Sequence, residues 1–159
     1  VELKNIQTNL NATILYVTHD QAEATTLADK IGVLKEGHLV QIGTPEEIYE
    51  NPNSIYVSQR LGSPKINILP GTLLGMNDVP TFGIRPENIT IGNGNHSAKI
   101  ISIENLGSET VVALNFKDQE ILVSIQGNYK SSINETINFD INNKKVLKFD
   151  QEGNRIYER

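Results

Sequence analysis

Cysteine is absent from the 159 residues, which removes disulfide frameworks and thiolate metal sites and is compatible with a reducing compartment. No apolar run approaches the about 20 residues that a membrane-spanning helix needs. The opening Val1-Glu2-Leu3-Lys4 has neither the basic start nor the apolar core of a signal peptide. An initiator methionine is missing too, and the first residues resemble the middle of a helix, so the sequence reads as a piece of a longer protein. A basic surplus is also lacking. Fourteen Lys and Arg stand against nineteen Asp and Glu, a formal net charge of −5, and no basic stripe gathers on any segment. Nucleic-acid partners, which are held through neutralised phosphates, are therefore not expected.

What is present changes texture once, near Gly62. In residues 1–62 helices alternate with strands. Val1, Ile6 and Leu10 fit the end of a helix closed by Asn9 and Asn11. Thr13 to Val17 is a short apolar run without alternation, the pattern of a strand covered on both faces of a parallel sheet. Asp20 then offers an N-cap, with Glu23 at capping-box spacing. Ala24, Leu27, Ala28 and Ile31 follow at helical intervals, giving one apolar face. "IGVLKEGHLVQIG" predicts a hairpin turning at Glu36-Gly37. "TPEEIYENP" predicts a helix capped by Thr44, with Pro45 at its first position and Glu47 completing a capping box. A further short helix is expected from Ser54 to Leu61, ending at a left-handed Gly62.

Beyond "GSPKINILPG", with Ser63 to Pro70 read as a linker, the helical period vanishes. "SAKIISIENLGSETVVALNF", "QEILVSIQG", "TINFDI" and "KKVLKFD" alternate apolar and polar residues between Gly, Asn and Asp. That pattern predicts a small antiparallel barrel or sandwich, and the remaining length suffices for one barrel of the OB type. The fold class expected is an α/β portion over residues 1–62 followed by an all-β, OB-like barrel over 63–159.

His19 stands at the junction of the expected strand and helix. Open α/β sheets bind ligands at the carboxyl ends of their strands, where a neutral imidazole can hold a phosphate oxygen or orient a water. Position alone leaves two readings open, a functional His19 and a structural one.

The surrounding residues add a resemblance. "YVTHDQAEATTLADKIGVLKEGHLVQIGTPEEIYENP", Tyr16 to Pro52, resembles the last part of an ABC-transporter ATPase domain. "GSPKIN", "FGIRPENI" and "ENLGSETVVAL" resemble the MalK-type sugar-importer branch with its C-terminal TOBE regulatory domain. The likeness covers essentially the whole chain. It departs at Ile66, where that branch commonly has Met, and at "SQRLGSP", which replaces a more aromatic lead-in. By this resemblance His19 is the switch histidine, and residues 1–62 are the rear of a P-loop ATPase domain. The intact protein would use ATP and Mg²⁺, pair with a second copy and sit beneath membrane-spanning permeases. Its place would be the cytoplasmic face of a bacterial membrane, with regulatory proteins received on the TOBE domain. The sequence itself has no G-x-x-x-x-G-K-[ST] loop, no L-S-G-G-Q signature and no apolar strand ending in Asp-Glu. Phosphoryl transfer needs backbone amides, a Lys and a Mg²⁺ ligand in addition to a positioned water. The chain alone is therefore expected neither to bind ATP nor to hydrolyse it. A self-standing barrel that captures an oligosaccharide, an oxyanion or a regulatory protein is the competing functional reading.

The remaining candidates have plainer expectations. Asp20 is expected as a cap rather than a catalyst. His38 and His96 are expected as solvated surface residues without a second metal ligand beside them. Arg85-Pro86-Glu87 is read as a structural ion pair or an interdomain contact. Gly107 is expected to supply a bend or bulge. Glu104 and Glu109 flank it as surface carboxylates rather than a glycosidase pair. Lys144-Lys145 is expected to guard an edge strand.

Overall fold

The computed structural model describes residues 2–157, so Val1, part of the expected opening helix, lies outside them. The chain divides into two compact units, 1–62 and 63–159.

The first unit opens with helix α1, Glu2–Leu10, which Asn11 stops by taking a left-handed φ of 48°, a conformation asparagine tolerates better than most residues. Helix α2, Gln21–Leu27, follows a long unpaired connection. The hairpin is strands β1, Ile31–Lys35, and β2, His38–Gly43. Its turn places Glu36 at φ 50° and Gly37 at φ 80°, the doubly left-handed turn that matches strand twist and suits glycine. Helix α3, Pro45–Glu50, forms with the full reciprocal box between Thr44 and Glu47. Helix α4, Ile55–Ser58, is a single turn capped by Ser54, shorter than the expected Ser54–Leu61, although Gly62 does take a positive φ of 110°. Val33, Ile48, Val57 and Leu61 make the core of this unit, with Tyr49 and Tyr56 packed against it.

Two further expectations for this unit differ from the structure. Residues 13–17 form no strand; Leu15 is 93% exposed and Val17 78%. A strand interior to a parallel sheet is held by neighbours on both sides, and no described segment pairs with this one. Helix α2 likewise buries none of its residues, and Ile31, expected on its apolar face, opens β1 instead.

The second unit is all strand and short 3₁₀ turns. Strands β3 (Asn67–Pro70), β4 (Thr81–Ile84), β9 (Leu147–Phe149) and β10 (Arg155–Ile156) form one sheet in the order β10-β9-β4-β3. Strands β5 (Ile89–Asn105), β6 (Glu109–Phe116), β7 (Gln119–Gln126) and β8 (Thr136–Ile141) form the other, in the order β7-β6-β5-β8. All pairings are antiparallel. The fold is thus the β-rich, OB-like unit that the alternation implied, built as two open sheets. The expected linker is partly structural, because β3 lies within it and its Leu69 is buried.

Strand β5 joins the sheet through two partners. Residues 89–99 pair with β8 and residues 99–105 with β6. Residues Phe82, Ile84, Ile100, Leu114, Ile121 and Phe139 fill the space between the sheets. The sheets meet at a side chain. The Asn67 amide accepts from Leu122 N–H at 2.7 Å and donates to Leu122 C=O at 2.8 Å, so it stands in for one rung of a ladder between β3 and β7. At the β9–β10 turn, backbone and side-chain donors of Asn154 hold the Asp150 carboxyl below the usual carboxylate range.

Candidate functional site

The stretch around His19 is organised by two neighbouring carboxylates. Asp20 Oδ1 accepts from the N–H groups of Ala22, at 2.7 Å, and Glu23, at 3.0 Å, capping the otherwise unmatched amides at the start of α2. Asp20 is therefore the expected cap. The reciprocal half of the capping box does not form. Thr18 Oγ1 accepts from Asp20 N–H at 3.0 Å, the donor that Glu23 would have taken. Glu23 accepts instead from the hydroxyls of Thr18 and Tyr16. That bond and the carboxylate's charge raise the Tyr16 phenol above its ordinary pKa, because ionising it would place two negative charges side by side.

His19 sits in the bend between Thr18 and Asp20 with its side chain exposed. Both neighbours are tied to the helix start, so the backbone carrying the imidazole is held at two points. The expected strand preceding it is not formed, and the histidine is placed by the cap alone. Among the described residues, no three His, Asp or Glu side chains gather as metal ligands would.

The other candidates distribute plainly. His38 is exposed at the start of β2, opposite Lys35. His96 differs from its expectation. It is half-buried, and its ring lies 5.3 Å from those of both Phe116 and Phe139, within the range of favourable aromatic contact. Arg85 is buried immediately before the 3₁₀ turn Pro86–Asn88. Gly107 takes φ 92° in the β5–β6 turn, where Asn105 Oδ1 accepts from its N–H at 2.8 Å. The bulge itself lies elsewhere, at Ile101, where the β5–β6 register shifts between Ile100 and Ser102. Glu104 pairs in register with Val111 and Glu109 with Gln126; Glu109 also accepts from the Ser124 hydroxyl. Lys144 and Lys145 lie not in an edge strand but in the 3₁₀ turn between β8, which is an edge strand, and β9, which is an interior one. Alternation finds strands but not the turns between them.

Sequence reasoning missed Thr18 and Glu23 as the pair that steadies His19. Their signal was the hydroxyl two residues before a cap, which can intercept the cap's own N–H.

Residues 82–144 match the family model of the TOBE domain. Over 99% of its length the chain is 34% identical to the sn-glycerol-3-phosphate import ATP-binding protein UgpC of Psychromonas ingrahamii, of which it covers 50%. It is 35% identical to the protein of the same name from Rhizobium meliloti, over 98% of the chain and 50% of that relative. The xylose/arabinose import ATP-binding protein XacK of Haloferax volcanii is 36% identical over 74% of the chain and 37% of its own length. The chain spans about half the length of the UgpC relatives it matches. Residues 82–144 thus carry the TOBE family match, and across both units the chain is similar to import ATP-binding proteins of ABC transporters.

Proposed function

We propose that this chain serves as part of the ATP-binding subunit of an importer for sugars or related solutes. In this reading residues 1–62 are the closing part of the nucleotide-binding domain and residues 63–159 its regulatory domain. The observation that carries it is the likeness to import ATP-binding proteins running through both units, over 99% of the chain in one relative. The working assembly would be a pair of such subunits on the cytoplasmic face of a membrane, beneath permease subunits, with regulatory proteins received on the second unit. The relatives' names span a glycerol phosphate and pentoses, and in this reading the choice of solute lies with the permeases and the binding protein.

The residues of this chain do not by themselves fit ATP and Mg²⁺. The sequence contains no glycine-rich phosphate loop, and the described residues gather no metal-ligand cluster. What the chain offers is the His19 imidazole. A neutral imidazole can donate a hydrogen bond to a phosphate oxygen without adding a permanent charge. The bonds from Thr18 and Asp20 support it by fixing the backbone on either side.

The test is His19→Ala in the complete subunit. Losing one such donor typically lowers turnover by about two to three orders of magnitude, roughly 3–4 kcal/mol of barrier. ATP affinity should stay unchanged, because the phosphate-cradling loop supplies most of it. Turnover equal to the unaltered subunit would return His19 to a structural role.

A further inference from the structure

We propose that Asn93 is a site of spontaneous deamidation in the folded protein. Asn93-Gly94 is the one Asn-Gly pair in the sequence. Asparagine is among the thermally labile residues, and the glycine after it has no side chain to shield its peptide nitrogen from the neighbouring amide. The fold adds two circumstances. In the β5–β8 pairing both Ile91 and His96 register on Phe139, so residues 92–95 form an excursion between consecutive rungs. Gly92 takes φ 126° as the chain leaves the ladder, and Asn93 is exposed to water. The pair cannot be relieved by a larger residue at position 94. A Cβ on Gly94 would lie 2.1 Å from both the carbonyl carbon and oxygen of Phe139. The close backbone approach requires glycine, and glycine is what makes Asn93 reactive.

The step balances with water alone. The deprotonated Gly94 nitrogen attacks Asn93 Cγ, the Cγ–Nδ2 bond breaks, and ammonia leaves with a proton taken from solvent. Water then opens the cyclic imide at either carbonyl, giving aspartate or isoaspartate. Isoaspartate inserts one carbon into the main chain. That carbon would enter the excursion, beside which the rings of His96, Phe116 and Phe139 pack.

The experiment holds the full chain, folded, in mildly alkaline buffer and follows each asparagine by peptide mass spectrometry, with enzymatic methylation as the probe for isoaspartate. Asn93 should convert several times faster than any other asparagine. The charge variant that accumulates should be one unit more negative than the formal −5 and should be missing from Asn93→Gln. Conversion of Asn93 no faster than its fellows, or conversion only after unfolding in urea, would overturn the proposal.

Discussion

At the scale of single residues, the most consequential side chain outside the His19 bend is Asn67. It is 7% exposed, and its amide meets both main-chain groups of Leu122, 55 residues away, while also reaching Ile84 C=O at 3.3 Å. Truncation would strand a donor and an acceptor at the junction of the two sheets. Leaving such groups unmatched costs about 1–3 kcal/mol. Asn67→Ala should therefore lower the unfolding free energy of the second unit by that amount, read as a lower urea midpoint, and Asn67→Asp should do worse, keeping the acceptor while burying a charge. An unchanged midpoint in the alanine variant would show that the junction is held by apolar packing alone. Nothing in "GSPKIN" could reveal this role, because a side-chain rung depends on which strand arrives opposite it. Asp20 was legible for the opposite reason: its partners, Ala22 and Glu23, are its neighbours in sequence. His96 marks the middle case. Its turn-like surroundings suggested solvent, yet the excursion at 92–95 returns it to the register beside Phe139, a consequence of pairing rather than of composition.

Elements whose cause is local were readable to within a residue or two. The Glu36-Gly37 hairpin and the Thr44–Glu47 box depend on turn and cap chemistry inside a few residues. Strands β3 and β4 are four residues each, too short for alternation to stand out, and β5 changes partners midway along an unbroken run. The stretch 13–17 is the instructive failure. Its composition suits a buried strand, but a strand exists through its neighbours. Without a described partner, Ile14, Leu15, Tyr16 and Val17 are all exposed. Their amides should exchange with solvent almost at the rate of an unstructured chain, while those of β6, paired on both sides and largely buried, should be the slowest in the protein. Hydrogen exchange read by mass spectrometry separates these outcomes. Slow exchange around Leu15 in a monomeric sample would mean that these amides find a partner after all.

For the whole molecule, the question is which part of the chain can stand alone. The second unit encloses a core of thirteen buried apolar residues between its two sheets. The first gathers four, and its α1 and 10–17 segments present Leu10, Leu15 and Val17 to water. Domains of about 60 residues bury only about 60% of the surface their unfolded chains expose and are marginal even when well packed. A unit of that size with so small a core falls short of what conformational entropy demands. A surface ion pair joins Lys4 and Asp29 at 2.7 Å with both side chains substantially exposed, and such pairs add little. Residues 63–159 produced alone should therefore give a cooperative urea transition with the same midpoint that the full chain shows for its β signal. Residues 1–62 produced alone should give none. Loss of cooperativity in the 63–159 piece would show that its core needs the first unit, and a sharp transition in the 1–62 piece would show that four buried side chains, with the cap and hairpin chemistry around them, suffice.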